Sequence, residues 1–324
     1  MTRTVSEAGG RAAAVRTVLG DITPEALGVC DAHDHLFLRS PQLPGQELSD
    51  PEAAAAELAA FRAAGGAAVV QWTPYGMGRG AAGLPRLARE SGVHIVAATG
   101  LHQAVHYAPE LPTRASTDLA GLFVAELTEG IGDTGVRAGM IKVAGGFHGL
   151  DAHARRTMTA AAEAQHATGA VIGVHLEAGT AAEDVIELLC GERNVPPGRV
   201  ILGHLNRSPA PGTLRRAAET GAFLAFDGPS RAHHATDWRL PGALRELADA
   251  GYGAQLLLGG DTTTAGARSV NGGPGMPHLL RRQRPWLAEV LGAELVTRML
   301  TVNAARAFAA VWPPEDDGRG AAGC

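Results

Sequence analysis

Short apolar runs alternate with longer stretches rich in alanine, leucine, arginine and glutamate along most of the 324-residue chain. The runs occupy residues 26–32, 67–73, 93–100, 138–146, 170–176, 199–205, 222–228 and 255–261. They are rich in valine, isoleucine and leucine and lack clean alternation, which is typical of parallel strands covered on both faces. A strand–helix unit that occurs about eight times predicts an α/β fold, a single-domain (β/α)8 TIM barrel.

The stretches between the runs carry helix signals. Residues 51–65 begin behind Asp50 with a proline in the first turn, and residues 151–168 stop at Gly169. Further helices are expected over residues 180–190, 212–220 and 236–250, with two closing helices in 284–311. A doubly wound open sheet is the alternative, but it would carry a glycine-rich phosphate-binding fingerprint after its first strand, and none follows residue 32.

The pattern divides the chain into three parts. Residues 1–25 form an N-terminal lead-in, residues 26–311 form the barrel, and residues 312–324 form a flexible tail. Neither a second domain nor another internal repeat is indicated by the sequence.

Charge and composition exclude several classes of protein. The formal net charge is −5 and no run of basic residues is present, so we expect no nucleic-acid partner. No segment approaches the ~18 apolar residues of a membrane span, and the first residues lack the apolar centre of a signal peptide. Cys30, Cys190 and Cys324 are far apart in the sequence, which argues against a disulfide framework and favours a cytoplasmic location.

Ionisable and imidazole side chains lie within the predicted strands or at their carboxyl ends. In a barrel these ends converge on one mouth, where active sites lie. The residues are His33, His35, Lys142, His175, His204 and Asp261.

These residue types suit divalent metal ions. His33 and His35 are two residues apart, so on a strand both imidazoles face the same side and can reach one ion. Lys142 is the only lysine in the chain. Burial and nearby cations disfavour its ammonium form, and a neutral amine can take up carbon dioxide to become a carbamate that bridges two metal ions.

The order of these residues resembles the phosphotriesterase family of the amidohydrolase superfamily. The resemblance covers roughly residues 15–310. It includes the segments TPYGMGR (73–79), GMIKVAGG (139–146), TGAVIGVH (168–175), RVILGHL (199–205), FDGPSR (226–231) and NAARAF (303–308).

The resemblance implies a site with two metal ions, usually zinc. His33, His35 and Asp261 would hold the more buried ion, and His175 and His204 the more exposed one. Carboxylated Lys142 and a hydroxide would bridge the ions. The hydroxide would attack a lactone or ester carbonyl, or the phosphorus of an organophosphate triester, while Asp261 accepts and relays the proton. The family resemblance also implies a homodimer.

Substrate specificity is less constrained by the sequence. Arg207, Arg231 and Arg268 follow the sixth, seventh and eighth runs, which favours an anionic substrate group such as that of a phosphorylated sugar lactone. Chance placement with nearby acidic partners is the alternative in a chain with many arginines. Tyr107 can line the mouth or pack in the core. We expect a small-molecule lactone or carboxylic ester as substrate, with phosphotriester hydrolysis as a secondary activity.

Several neighbouring residues are expected to support the site. Asp34 lies on the opposite face from the two histidines that flank it, which indicates a structural hydrogen-bonding role. Glu177 is a candidate for orienting another site residue, and Asp227 either orients a partner or caps a turn. His102 and His106 could line the mouth but are not expected to be metal ligands.

Two other functions remain open. One is a mononuclear amidohydrolase of the deaminase or amidase type, against which Lys142 argues because such relatives typically lack a strand lysine. The other is a catalytically silent binding protein on the same barrel, against which the complete set of ligand-type residues argues.

Overall fold

Eight parallel strands close into a barrel in the computed structural model, which describes residues 11–107, 117–208, 210–227 and 235–314. Three short strands form a second, smaller sheet. In chain order the strands are β1 (Ala14–Thr17), β2 (Gly20–Ile22), β3 (Cys30–Asp34), β4 (Ala68–Gln71), β5 (His94–Gly100), β6 (Met140–Ala144), β7 (Val171–His175), β8 (Val200–Leu202), β9 (Phe223–Asp227), β10 (Leu256–Gly259) and β11 (Ala309–Ala310).

The barrel strands β3 to β10 pair in the order in which they occur along the chain. The barrel closes where the end of β10 meets β3. There the backbone N–H groups of Gly260 and Asp261 both donate to the carbonyl oxygen of His33, over 3.0 and 2.9 Å. The predicted (β/α)8 barrel is confirmed, and the open-sheet alternative is excluded.

A helix follows each barrel strand and covers its outer face. The helices are α1 (Pro51–Ala63), α2 (Leu84–Ser91), α3 (Leu119–Thr128), α4 (Ala152–Thr168), α5 (Ala182–Ile186), α6 (Pro211–Glu219), α7 (Leu240–Asp249), α8 (Arg284–Leu291), α9 (Ala293–Leu300) and α10 (Val302–Phe308). Helix α5 continues as a π-helical stretch over Glu187–Glu192, and another π-helical stretch precedes α8 over Leu279–Gln283. Within the described ranges, no helix has both the length and the apolar character needed to cross a membrane.

Local sequence signals explain where the two best-defined helices begin and end. The carboxylate of Asp50 accepts from the first free N–H groups of α1, at Glu52 and Ala53. Asp151 does the same for α4 by accepting from Ala154 over 2.7 Å. Helix α4 ends at Gly169, whose φ of 75° lies in the left-handed region that favours glycine.

Two apolar layers hold the fold together. The inner layer fills the barrel with alternate residues of its strands, including Val70, Trp72 and Leu257. The outer layer lies between the strands and the helices and includes large side chains such as Phe61 and Phe226. Because both strand faces are buried, the strand sequences carry no alternation, as the sequence pattern indicated.

Two element boundaries differ from the sequence prediction. The first barrel strand begins at Cys30 rather than at residue 26, because Pro24–Leu27 form a 3-10 turn. The closing segment contains three helices rather than two. Gly292, with φ 86°, separates the first pair, and Thr301 has a non-helical backbone between the second pair.

The N-terminal lead-in is partly a strand structure. Strand β1 pairs antiparallel with both β2 and β11, so the small sheet joins the two ends of the described chain. Packing continues past residue 311. Trp312 is buried, its indole N–H donates to the carbonyl oxygen of Ala14 over 2.9 Å, and the Arg16 guanidinium lies 4.1 Å above its ring. Residues 315–324 of the expected tail lie outside the described residues.

We expect Trp312→Ala to destabilise the fold. Truncating a buried tryptophan costs about 3–5 kcal/mol, and the change also removes the contact with Arg16. Urea denaturation monitored by circular dichroism should show a lower midpoint. The matched control is Trp238→Ala, because the Trp238 side chain is 71% exposed, and its midpoint should stay unchanged. Equal midpoints for both variants would contradict a stabilising role for Trp312.

Candidate functional site

A cavity of about 190 Å³ opens at the carboxyl ends of the barrel strands. The structure brings together around it all of the residues that the sequence places at strand ends. They are His33, His35, Lys142, His175, His204 and Asp261. Five of the six are buried, and His175 is half-buried.

Two of these residues adopt a backbone conformation that is rare for side chains with a Cβ. His204 has φ 62° and Asp261 has φ 54°, both just beyond the ends of their strands. Such conformations cost free energy and persist where the surroundings fix them, as they often do at functional sites. Both side chains line the cavity.

The first cluster joins the start and the end of the barrel. The Nε2 atoms of His33 and His35 lie 3.7 and 3.6 Å from the same carboxylate oxygen of Asp261. These distances are too long for hydrogen bonds. They are close to the roughly 3.3 Å that separates two ligand atoms bound to one tetrahedral zinc ion. The three side chains therefore form a group that can hold a metal ion.

An outer hydrogen bond fixes the tautomer of His35. Thr73 donates its hydroxyl hydrogen to the carbonyl oxygen of Phe37 over 2.6 Å, so its oxygen can only accept from His35 Nδ1 at 2.8 Å. The Nε2 atom of His35 therefore presents a lone pair to the cavity.

Asp227 orients two imidazoles at once. One of its carboxylate oxygens lies 2.8 Å from Nδ1 of His33, and the other accepts from Nδ1 of His204. A carboxylate has no proton to donate, so Nδ1 of His204 carries hydrogen and its Nε2 presents a lone pair, and the 2.8 Å contact with Asp227 favours the same tautomer for His33. The backbone N–H of Asp227 donates in turn to the side chain of Asn206, which holds the carboxylate in place.

The fourth imidazole is oriented by Glu177. Nε2 of His175 donates to the Glu177 carboxylate over 3.0 Å, and Gln103 also donates to that carboxylate. The remaining nitrogen, Nδ1 of His175, lies 2.7 Å from Nε2 of His204. The outer contacts leave both of these nitrogens without hydrogen when the rings are neutral, so a contact this short requires a shared proton or a bound cation.

The site therefore gathers four imidazole lone pairs around one small volume. Burial lowers the pKa of His35 to about 4 and also lowers the pKa of His175 and His204, so these rings are neutral near pH 7. Neutral imidazoles with outer hydrogen bonds are the usual form of histidine ligands. Four converging lone pairs repel one another unless a cation lies between them.

Lys142 lies in the middle of β6 and lines the same cavity. Its side chain is buried, and no hydrogen bond or ion pair with a described residue satisfies its amino group. Burial lowers the pKa of Lys142 from its usual value to about 7. A large share of the side chain is therefore the neutral amine that carbamate formation needs.

Asp261 remains ionised in this setting. Burial alone would raise its pKa, but the adjacent Arg207 guanidinium outweighs burial and holds the pKa well below its usual range. Arg207 donates directly to the second carboxylate oxygen of Asp261.

The four substrate-contact residues expected from the sequence have different positions. Arg207 lines the cavity, and Arg231 lies outside the described residues. Arg268 is buried away from the cavity, where its guanidinium donates to the carbonyl oxygens of Leu36 and Asp50. The expectation that Arg268 contacts substrate is corrected, because its donors hold two loops together.

Tyr107 also lies behind the cavity wall. Its side chain is buried, and its hydroxyl oxygen accepts the backbone N–H of His102 over 2.7 Å. Burial raises the pKa of the Tyr107 hydroxyl above its usual range, so it stays protonated. Tyr107 therefore packs in the core, the second of its two expected positions, and does not contact the cavity as a substrate-binding residue would; it fixes the loop after β5.

Two supporting residues orient imidazoles of the site in ways that the sequence does not indicate. Asp227 orients two imidazoles instead of one, and Thr73 has no distinguishing signal because it follows a strand as many threonines do. An acidic residue at the carboxyl end of the seventh run is a signal for Asp227, although the same residue type also caps turns. Asp34 has the expected structural role, since its carboxylate accepts from the backbone N–H groups of His35 and Thr262.

Comparison with known proteins places the chain in a family. The model of the phosphotriesterase family matches residues 13–308. The chain belongs to the phosphotriesterase family. This membership confirms the resemblance drawn from the strand-end residues and the motifs between them.

Relatives within the phosphotriesterase family act on different bonds. The chain is 31% identical over 243 residues to a phospho-furanose lactonase of Mycoplasmopsis agalactiae, and the match covers 69% of each chain. It is 26% identical to an N-acetyltaurine hydrolase of Danio rerio, covering 90% of this chain and 97% of that one. A lactonase structure from Listeria monocytogenes superposes with a TM-score of 0.83 at 27% identity, covering 91% and 98% of the two chains.

We expect Arg268→Leu to lower stability. Hydrogen bonds to a charged group contribute about 1.5–3 kcal/mol each, and the leucine would leave the carbonyl oxygens of Leu36 and Asp50 without these donors. The urea midpoint should fall, whereas the matched exchange Arg215→Leu on the exposed face of α6 should leave it unchanged. An unchanged midpoint for Arg268→Leu would show that the two loops do not depend on this side chain.

Proposed function

We propose that the protein is a hydrolase that uses two divalent metal ions, with zinc as the ion its ligands suit best, to open lactones or other carboxylic esters. The observation that carries the proposal is the convergence of four imidazole lone pairs, whose N–H groups are all directed to outer acceptors. Imidazole and carboxylate together are typical zinc ligands. Membership of the phosphotriesterase family supports the same chemistry.

The donor set fits two ions. His33, His35 and Asp261 form one group with ligand atoms already spaced for an ion. Nδ1 of His175 and Nε2 of His204 form the second group. Carboxylated Lys142 would serve both, because it lines the cavity with each group and would carry a negative charge where its ammonium has no partner.

The ions would supply an activated water and withdraw charge from the carbonyl oxygen of the substrate. Side chains of the protein would accept the proton and orient the ligands. Asp261 would take the proton of the attacking water, and Arg207 keeps Asp261 ionised through direct contact. Asp227 and Glu177 keep the imidazoles in the tautomers that present lone pairs inward.

The substrate class rests on the cavity and on the relatives. The cavity is small, about 190 Å³, and Arg207 places a guanidinium in its wall, which favours a compact substrate with an anionic group. The similar phospho-furanose lactonase supports a phosphorylated lactone. An organophosphate triester would be a secondary substrate.

Metal analysis combined with a substrate screen tests the proposal. Protein purified in zinc should contain two ions per chain and hydrolyse lactones faster than phosphotriesters. N-acyl amides belong in the panel, because an N-acetyltaurine hydrolase is among the relatives. One ion per chain with amide hydrolysis would favour a mononuclear amidohydrolase, and a fully loaded protein without activity would favour a binding role.

We expect Lys142→Arg to lose most of its bound metal and activity. A guanidinium stays charged at neutral pH and cannot form the carbamate. Inductively coupled plasma mass spectrometry would measure metal content, and lactone hydrolysis would measure activity. In wild-type protein, bicarbonate should accelerate recovery of activity when metal-free enzyme is given zinc. Two ions and normal turnover in the variant would rule out the carbamate.

We expect Asp227→Asn to bind zinc about 10–100-fold more weakly. An amide has one acceptor oxygen and one donor nitrogen, so it cannot accept from both His33 and His204. One imidazole would take the other tautomer and turn a hydrogen toward the ion. Competition with a zinc-sensitive dye would measure the affinity, with Asp249→Asn on the exposed surface as the control. Equal affinity in both variants would contradict the orienting role.

A further inference from the structure

His102 lies on the wall of the cavity in the loop that follows β5. Its side chain is buried, and the centre of its ring lies 4.6 Å from that of His175 and 4.1 Å from that of His106. His102 therefore faces the part of the cavity in which His175 and His204 meet. The family ligand pattern that the sequence resembles does not include it.

Three of the four polar atoms of His102 serve to hold it in place. Its backbone N–H donates to the hydroxyl oxygen of Tyr107, and its carbonyl oxygen accepts from Nε2 of His153 over 2.8 Å. Its Nδ1 atom accepts the backbone N–H of Gln103 over 2.7 Å. Only Nε2 has no hydrogen-bond partner within the described ranges.

The contact with Gln103 decides the tautomer of His102. A peptide N–H can only donate, so Nδ1 of His102 carries a lone pair and the proton of the neutral ring is on Nε2. The same contact excludes the doubly protonated imidazolium, because Nδ1 would then carry a hydrogen and could not accept. His102 thus differs from the four ligand-type histidines, because its Nε2 carries a hydrogen whereas their inward nitrogens present lone pairs to the same cavity.

We propose that His102 donates a hydrogen bond from Nε2 to the carbonyl oxygen of the bound lactone or ester, where negative charge develops during attack. This assignment rests on the proposed hydrolase function. His102 gives up no proton, because a neutral imidazole is too weak an acid. Its N–H stabilises the developing charge as a fixed neutral dipole, and neutral histidines polarise substrate carbonyls in this way in other barrel enzymes.

Two other donor-bearing side chains of the cavity wall are engaged elsewhere, and the Thr263 hydroxyl, which has no hydrogen-bond partner among the described residues, is free to rotate. Arg207 donates to Asp261, and the side-chain amide of Gln42 donates to the carbonyl oxygen of Val105 over 3.1 Å. His102 differs because its three other polar atoms fix its position and leave one donor directed at the substrate space. Such a group needs no reorganisation when charge develops, which is the condition under which a donor accelerates a reaction most.

A pair of amide substitutions separates the donor from the loop contact. In His102→Asn the amide is close to the position of Nδ1, so it can still accept from Gln103 but has no donor at the Nε2 position. In His102→Gln the amide reaches the Nε2 position and can donate to substrate, but the contact with Gln103 is lost. The enzyme is loaded with zinc and assayed with γ-butyrolactone and a phosphorylated aldonolactone, and His94→Asn at the other end of β5 is the control.

We expect His102→Asn to lower kcat/KM about 100-fold, as removal of one oxyanion donor does, and His102→Gln to lower it less than tenfold. Zinc content should be unchanged in both variants. Equal kcat/KM values in the two variants would overturn the donor role. If both variants had lost the same large share of activity, the loop contact would be the feature that matters.

The tautomer provides a test that does not depend on activity. In protein labelled with ¹⁵N-histidine, long-range ¹H–¹⁵N spectra at neutral pH should show His102 with hydrogen on Nε2, assigned by the signals that disappear in His102→Asn. Hydrogen on Nδ1 would overturn the assignment. Failure of the proposed function has a different signature, because zinc-loaded wild-type protein would then hydrolyse neither lactones nor esters, whatever tautomer His102 adopts.

Discussion

The closure of the barrel and the assembly of the site depend on the same hydrogen bonds. The carbonyl oxygen of His33 accepts the N–H groups of Gly260 and Asp261, which joins the last strand to the first. Asp31 adds a bond to the N–H of Gly260, and Asp34 adds one to the N–H of Thr262. The spacing between the His33 and Asp261 side chains is therefore set by backbone contacts that also hold the fold.

Gly260 shows how little freedom this junction has. A Cβ atom at this position would lie 2.3 Å from a carboxylate oxygen of Asp34 and 3.0 Å from one of Asp31. Both carboxyl groups are buried, and burial raises their pKa, that of Asp34 to about 6. The two carboxyl groups occupy the space a side chain would need, so a residue larger than glycine would have to displace the backbone that carries Asp261.

The sequence predicts which residues meet at the barrel mouth better than it predicts what each of them does. The eight runs and their strand-end residues were sufficient for the fold and for the residues around the cavity, because parallel strands in a barrel must end on one side. The direction of a loop side chain depends on contacts between distant segments. Arg268 follows the last barrel strand as expected, yet it points toward the carbonyl oxygens of Leu36 and Asp50, which no local pattern reveals.

The same limit applies to the histidines, whose chemistry is decided by their neighbours. His35 and His102 are the same residue type on one cavity wall. A threonine hydroxyl accepts from Nδ1 of His35, while a peptide N–H donates to Nδ1 of His102, so their inward nitrogens have opposite character. A lone pair and a hydrogen directed into one volume suit different partners: the first a cation, the second a developing negative charge. The proposed hydrolysis of an ester would bring both together, so the two tautomers are compatible within one site.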